Sequence, residues 1–345
     1  MSVLEFLTLL FLGTPVWMWL VFVGIVLGLL VLDLGVLHSD DHEIGVTESL
    51  KLSAMYIALG VAFAGFVWWQ IGAEASALYL TAFVVEKTLA MDNVFVIAMI
   101  FSYFAIPRKY QHRVLFWGIL GVILLRGVMI GAGATLVAEY SWLLYVFAAF
   151  LIATGIKMMV MGEKETDVSK NPVLKFLRRR MNVTDEMHGQ SFFVTKPDAK
   201  GRMVRYATPL FLALVLIEIA DVIFAVDSVP AVFAITTDPF IVYTSNIFAI
   251  LGLRALYFAL AAILHRFEYL KYALSILLVF IGSKIFLADI FGWEKFPAEW
   301  SLGITFAILG AGVVFSLWKT RGGDHGPGGN PKRAVAEQPT PPAAS

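Results

Sequence analysis

The sequence predicts an all-α, polytopic membrane protein with about nine transmembrane helices. Hydrophobic residues make up 59% of its 345 residues, and the mean hydropathy is +0.80. A soluble domain of this length is close to half apolar, so the excess indicates a chain folded in lipid. The apolar residues fall in runs of about 20, the length that crosses the hydrocarbon core of a bilayer.

Nine apolar runs have this length, and we expect them to form one transmembrane domain over residues 1–318. In chain order they are 16–37, 49–70, 78–102, 112–136, 142–161, 207–235, 242–264, 269–289 and 299–318. Residues 319–345 contain GGDHGPGGNPKR and QPTPPAAS, a Gly- and Pro-rich composition that predicts a disordered cytoplasmic tail.

Composition excludes several function classes. The net charge is zero and the basic residues lie in loops, so no nucleic-acid surface is predicted. The chain has no cysteine, which excludes disulfides and thiolate metal sites. A bound metal would meet oxygen, imidazole or thioether ligands, which favours a hard cation such as Mn²⁺, Mg²⁺ or Ca²⁺. The first residues, MSVLEFLTLL, contain an acid and no Lys or Arg, unlike a cleavable signal peptide.

Loop charge predicts the orientation of the chain. Basic loops follow the third, seventh and ninth runs, and the segment 162–206 carries ten Lys or Arg residues. In a nine-helix chain these loops share one side, and the opposite loops are poor in basic residues. The acidic loop LHSDDHEIG is the exception. Cytoplasmic loops are typically basic, so we expect the amino terminus outside and the carboxyl terminus in the cytoplasm.

Two apolar spans share one pattern: an acid, five residues, an aspartate and a small polar residue. The positions are Glu86, Asp92 and Asn93 in the third span and Asp221, Asp227 and Ser228 in the sixth. Each carboxylate at the bilayer centre costs roughly 2.5–3.5 kcal/mol on insertion scales. A bound cation is the most direct compensation, so we expect these six residues to form a metal site.

Basic residues extend the match between the two halves. Arg126 and Lys157 are 31 residues apart, and Arg254 and Lys284 are 30 apart. The third to fifth spans and the sixth to eighth spans are therefore interpreted as two copies of one unit. Because each unit has three spans, the second copy is inverted, which is a transporter architecture with its site at the repeat interface. The boundaries are 78–161 for repeat one, 162–206 for the cytoplasmic loop and 207–289 for repeat two.

Helical geometry predicts how the two motif spans meet. Glu86 and Asn93 are seven residues apart and nearly eclipsed, as are Asp221 and Ser228. The aspartates before Asn93 and Ser228 lie about a third of a turn away. Two antiparallel helices can therefore place each carboxylate at the level of the other helix's amide or hydroxyl.

Pro230 predicts a break in the sixth span. Proline has no N–H, so the carbonyl of Val226 is left without its helical partner beside Asp227. A broken helix with free carbonyls beside an aspartate is a suitable cation seat.

Three further residues are candidates for the ion pathway or for secondary ligands. Glu218 lies three residues before Asp221 on the same face, and Asp33 is an acid inside the first span. Met91 offers a soft sulfur that favours Mn²⁺ over Mg²⁺, although a methionine in a membrane helix usually serves packing.

The repeated bases Arg126, Arg254, Lys157 and Lys284 are expected to be charge partners or gates, because a cation site repels them. The two lysines could instead be snorkelling anchors at helix ends. The alternative structural reading is that the acids merely pair with these bases and hold no metal.

Several stretches resemble the TerC family of bacterial membrane proteins, whose Alx branch exports manganese. They are VLDLGVLH, EKTLAMDNVFV, FSYFAIPRKYQHRVLFWGILGVILLRG, VTDEMHGQSFFV, RYATPLF and EIADVIFAVDSVPAVFAITTDPFIVYTSNIFAILGLRALYF. The resemblance covers most of residues 30–290 and implies an inner-membrane metal-ion exporter, with the family's acidic positions at Glu86, Asp92, Asp221 and Asp227. Other family members are assigned to tellurium resistance or to membrane-protein assembly.

The leading hypothesis is a transporter that exports a divalent cation from the cytoplasm by alternating access, in exchange for protons. Mn²⁺ is the expected substrate. We expect no prosthetic group and no enzyme activity. The expected partners are the divalent metal ion and the lipid bilayer, with a homo-oligomer left open. The alternatives are a membrane-protein assembly or tellurite-resistance component without transport, and an intramembrane acid–base hydrolase.

Overall fold

The structure is a computed structural model that describes residues 3–35, 46–160, 168, 171–197, 201–260, 269–293 and 296–320. In this part the chain is almost wholly helical, with two short antiparallel hairpins. The elements are α1 (Val3–Thr8), β1 (Leu10–Phe11), β2 (Thr14–Pro15), α2 (Val16–Gly35), α3 (Val46–Gln70), α4 (Ala73–Tyr103), α5 (Arg108–Glu139), α6 (Leu143–Val160), α7 (Pro172–Arg180), β3 (Phe193–Pro197), β4 (Met203–Ala207), α8 (Pro209–Ile235), α9 (Pro239–Leu251), α10 (Leu253–Leu260), α11 (Leu270–Phe291) and α12 (Ala298–Thr320).

The helices have the length and surface of a membrane protein. Seven stretches of the described residues are long and apolar enough to cross a bilayer, and a shorter apolar stretch covers Val16–Leu32. The 31-residue α4 is also long enough, but its middle carries charged residues. Large apolar side chains such as Trp69, Trp300 and Trp318 are exposed near helix ends, as expected at a membrane interface. The prediction of an all-helical, polytopic membrane protein is confirmed.

Each predicted span overlaps a helix of the structure. The helix α4 is longer than the predicted 78–102 run at its start, and the predicted run 242–264 is divided at Gly252, the C-cap of α9, where α10 follows at once. The total of nine membrane spans stays a prediction. The predicted tail 319–345 lies outside the described residues beyond Thr320.

The expected break at Pro230 is wrong. The helix α8 continues through Pro230 from Pro209 to Ile235. Proline still removes the N–H that would reach the carbonyl of Val226. Helices α4, α5 and α6 all pack against α8. Such neighbours allow a proline to remain inside a membrane helix.

The helix pairing is close to symmetric. The helix α4 packs against α8 and α9, and α8 packs against α5, while α6 runs along α11. A Cβ on Gly155 of α6 would lie 2.6 Å from the carbonyl oxygen of Ser275, and one on Gly282 of α11 would lie 2.5 Å from that of Ala148. Gly282 and Ser275 each follow their counterparts by 127 residues, so the antiparallel contact is the same from either side. This reciprocity supports the inverted repeat, which remains a prediction.

The segment predicted as the cytoplasmic loop, 162–206, contains a folded element. Asn171 caps α7 by accepting a hydrogen bond from the backbone N–H of Val173 at 2.9 Å, and β3 pairs with β4. Side chains of this element, including Leu174 and Phe192, pack in one core with the carboxyl end of α4 and the amino end of α8. The element therefore covers the end of the helix bundle at which α4 ends and α8 begins.

Candidate functional site

The centre of the candidate site is the guanidinium of Arg126, in the middle of α5. Its side chain is only 2% exposed. It forms an ion pair with Glu86 of α4. It also donates two hydrogen bonds to Asp221 of α8, from Nε to Oδ2 at 3.3 Å and from Nη2 to Oδ1 at 3.2 Å. A planar guanidinium matches a carboxylate in this forked geometry, so Arg126 links α4, α5 and α8 through charged contacts.

Two neutral side chains complete the shell around Arg126. Its Nη1 donates to Oγ of Ser228 at 3.0 Å and to Oδ1 of Asn246, on α9, at 3.3 Å. Both acceptors are buried. Side chains from three helices, α4, α8 and α9, therefore converge on Arg126 of α5. We name Glu86, Asn93, Arg126, Asp221, Ser228 and Asn246 the central cluster.

The motif helices meet as two antiparallel helices should. Nδ2 of Asn93 on α4 donates to Oδ1 of Asp221 on α8 at 3.1 Å. Nη1 of Arg126 donates both to Ser228, seven residues after Asp221, and to Glu86, seven residues before Asn93. Each helix thus sets its carboxylate against the amide or hydroxyl of the other. This places four of the six predicted metal-site residues in one buried cluster.

The other two predicted ligands, Asp92 and Asp227, lie in α4 and α8, but their side chains are outside the described residues. The same holds for the side chain of Asp33 in α2. Among the described side chains there is no group of three or more acidic or histidine residues that could hold a metal ion. The four predicted ligands with described side chains therefore supply two carboxylates, one amide and one hydroxyl.

The central cluster carries more negative than positive charge. Among its described side chains, the carboxylates of Glu86 and Asp221 face the single guanidinium of Arg126. One negative charge is left over when all three are ionised. Because an uncompensated charge in the membrane interior is costly, the cluster favours binding one more positive charge, either a proton or a cation.

Several buried polar atoms of the central cluster have no hydrogen-bond partner. They are Oε2 of Glu86, Oδ1 of Asn93 and Nδ2 of Asn246. Beside Asn93 and Asp221 lies a cavity of about 20 Å³ between α4, α5, α8 and α10, otherwise lined by apolar side chains. It has the space that one water-sized ligand needs. Of the unpartnered acceptor oxygens, Oδ1 of Asn93 belongs to a residue that lines this cavity, and Asp221 supplies its carboxylate.

Glu218 lies beside the central cluster without joining its hydrogen bonds. It is half-buried on α8 and faces Gly121 of α5, where a Cβ would overlap its carboxyl group. Its Oε2 has no hydrogen-bond partner, and its charge is close enough to Asp221 to repel it. Gly121 thus makes room for a third carboxylate near the site.

The remaining predicted residues make none of the hydrogen bonds described above for the central cluster. Met91 is half-buried and packs against a hydrophobic core, as the packing alternative expected. Arg254 is buried on α10, and Lys157 is exposed in the last turn of α6. Lys284 is only 5% exposed and lies well inside α11, so it is not a snorkelling anchor at a helix end. Of the repeated bases, Arg126 is the one that the structure places against Glu86 and Asp221.

Sequence reasoning missed two polar residues. Asn246 is a buried asparagine in the apolar α9, which could have identified it as a partner. Lys87 follows Glu86 in the motif itself, and its Nζ donates to the carbonyl oxygen of Ala249 at 3.0 Å. That carbonyl lies near the end of α9, beside the interruption at Gly252, where a cation interacts favourably with the helix dipole.

Comparison with known proteins gives the family. The model of the integral membrane protein TerC family matches residues 71–323. An "Uncharacterized membrane protein" of Rickettsia bellii is 46% identical over 299 residues, covering 87% of this chain and 96% of its own. The "Putative membrane-bound redox modulator Alx" of Escherichia coli (strain K12) is 43% identical over 326 residues, covering 90% and 99%. No solved structure matches this chain. The chain therefore belongs to the integral membrane protein TerC family.

Proposed function

We propose that this protein is a transporter that exports a divalent cation by alternating access, with Mn²⁺ as its substrate. The observation that carries the proposal is the convergence of Glu86, Asp221, Asn93 and Ser228 inside the membrane domain, with more negative charge than Arg126 balances. A transporter needs a charged site at this depth, whereas a purely structural membrane protein avoids the cost of burying one.

The ligand types support a hard cation. Carboxylate, amide and hydroxyl oxygens are the donors preferred by Mn²⁺, Mg²⁺ and Ca²⁺. The choice of Mn²⁺ rests on the resemblance to the manganese-exporting branch of the family rather than on these oxygens. Met91 does not strengthen it, because this side chain packs in a hydrophobic core.

The proposal includes location, direction and coupling. The protein lies in the bacterial inner membrane with its amino terminus outside, as the basic loops favour. Export runs from the cytoplasm, and protons that replace the metal on the carboxylates supply the counter-flux. The redox description of the Alx relatives is a property of those proteins. This chain has no cysteine, so thiol–disulfide exchange on its own side chains is not available.

The test is metal flux in proteoliposomes containing the full chain, with and without a pH gradient. We expect ⁵⁴Mn²⁺ flux above that of empty liposomes, and at least a tenfold lower rate in Glu86→Gln. The matched control is Glu74→Gln, the same change at an exposed position of α4, which should keep the wild-type rate. Equal flux in wild-type and empty liposomes, or equal rates in Glu86→Gln and wild type, would overturn the proposal.

A further inference from the structure

We propose that Arg126 is a tethered counter-ion, which occupies the carboxylates of the central cluster when no metal is bound and leaves them when the metal binds. The inference rests on the proposed function and specifies how the same site works. Arg126 would then be a positioning residue that resets the carrier, rather than a metal ligand or a static ion-pair partner.

The first observation is the geometry of the guanidinium. Arg126 contacts both described carboxylates of the cluster, with a forked pair of bonds to Asp221 and an ion pair to Glu86. A metal ion bound by these two side chains would use Oδ1 and Oδ2 of Asp221, the atoms that Arg126 holds, whereas Oε2 of Glu86 has no hydrogen-bond partner. Because the guanidinium and the metal ion are both positive, they also repel each other at that distance. Metal binding at Asp221 and the observed Arg126 contacts therefore compete.

The second observation is the shared burial of these groups. Glu86 is fully buried, and Arg126 and Asp221 are nearly so. Without a cation, two carboxylates would face each other in the membrane interior, which is an unfavourable state for a carrier that must return without metal. With Arg126 in place the metal-free cluster keeps a single excess negative charge, which one proton of the counter-flux neutralises, so the carrier can change conformation without its metal.

The third observation is an alternative acceptor for the guanidinium. Oδ1 of Asn246 accepts a bond from Nη1 of Arg126 at 3.3 Å, and Asn246 is neutral. A neutral acceptor on α9 does not attract the metal as a carboxylate does. It can still accept a hydrogen bond from the guanidinium when the carboxylates bind the metal. Arg126 thus has a place to bind in both states.

The experiment uses the full chain in detergent and in proteoliposomes, with Arg126→Gln as the main variant. Lys319→Gln, which removes an exposed positive charge from α12, is the matched control. Three quantities are measured: the Mn²⁺ dissociation constant, the thermal shift that saturating Mn²⁺ causes, and the ratio of Mn²⁺–Mn²⁺ exchange to net Mn²⁺ export.

We expect Arg126→Gln to bind Mn²⁺ at least tenfold more tightly, since the internal competitor is gone. Its thermal shift with Mn²⁺ should exceed that of wild type, because its empty state is the destabilised one. Net export should fall at least tenfold while Mn²⁺–Mn²⁺ exchange continues, because only the metal-free return step needs the arginine. A purely structural role would reduce exchange and export together.

The second variant, Arg126→Lys, keeps the charge but cannot form the forked contact, and decides the question if Arg126→Gln does not fold. We expect it to bind Mn²⁺ about three- to tenfold more tightly than wild type. Unchanged or weaker Mn²⁺ binding in the folded variants, with wild type binding normally, would overturn the counter-ion role and leave the transport proposal intact. Failure of wild type itself to bind or move Mn²⁺ would instead overturn the proposed function.

Discussion

Gly155 of α6 and Gly282 of α11 hold equivalent places on the two sides of one helix pair, each facing a backbone carbonyl of the other helix. A methyl group there would lie 2.6 or 2.5 Å from a carbonyl oxygen, and backbone cannot move aside as a side chain can. We expect Gly155→Ala and Gly282→Ala each to destabilise the protein by about 1–3 kcal/mol through overpacking. Thermal unfolding of the detergent-solubilised protein measures this loss.

The matched control for these substitutions is Gly310→Ala in α12, where a Cβ meets no atom within 4 Å. Alanine is normally better than glycine inside a helix by up to about 1 kcal/mol, so this variant should be neutral or slightly stabilised. If Gly155→Ala were as stable as Gly310→Ala, the close approach of α6 and α11 would be wrong, and the repeat would lose its main structural support.

The central cluster predicts an order of stability among three substitutions in metal-free protein. Arg126→Gln should cost most, about 3–5 kcal/mol, because it leaves two buried carboxylates without their cation. Asp221→Asn should cost about 1–3 kcal/mol, since Arg126 loses its forked partner but keeps Glu86. Glu86→Gln should cost least, because Asp221 still balances the arginine.

Thermal unfolding of the three variants in a chelating buffer gives this order directly. A larger loss in Asp221→Asn than in Arg126→Gln would mean that the arginine is not the charge that makes the empty cluster stable.

Hydropathy and register were enough to predict much of this protein. The helices were located because apolar runs in lipid have few alternatives. The level at which Asn93 meets Asp221 followed from the matching spacing of the two motifs. Sequence spacing fixes the rotation of a residue on its own helix, but not which neighbouring helix it faces. For that reason the sequence predicts Arg126 as a charge partner or gate, but not its forked contact with Asp221.

Two errors have specific physical causes. Pro230 was expected to break α8 because it removes a backbone N–H, but packing from the surrounding helices can hold a membrane helix together through a proline. The alternative that Lys284 is a snorkelling anchor is wrong because the side chain is buried within α11, which continues to Phe291. Asp92 and Asp227 remain predicted ligands, as their side chains lie outside the described part.

A buried hydrogen-bond chain joins α10 to the turn between α4 and α5. The hydroxyl of Tyr257 donates to Oε1 of Gln111 at 3.0 Å, and Nε2 of Gln111 donates to the carbonyl oxygen of Ile106 at 2.9 Å. Tyr257→Phe leaves a buried acceptor unpaired, so we expect a loss of about 1–2 kcal/mol in thermal unfolding. Tyr272→Phe, at an exposed position of α11, should change stability by less than about 0.5 kcal/mol. Equal stability of the two variants would show that the chain of hydrogen bonds contributes nothing.

The folded element made of α7, β3 and β4 contains an ion pair that predicts a pH effect outside the membrane helices. The ammonium of Lys196 donates to Oε2 of Glu186 at 2.6 Å, and this bond and its charge hold the pKa of Glu186 below its usual value. The contact therefore contributes at pH values above the ordinary glutamate pKa and is lost as the pH falls through the depressed one. We expect Lys196→Met to raise the pKa of Glu186 towards its ordinary value, measured by the carboxyl ¹³C titration of labelled full-length protein. Because Glu186 is exposed, the variant should leave global unfolding nearly unchanged. An identical titration curve in both proteins would show that the two side chains do not pair in solution.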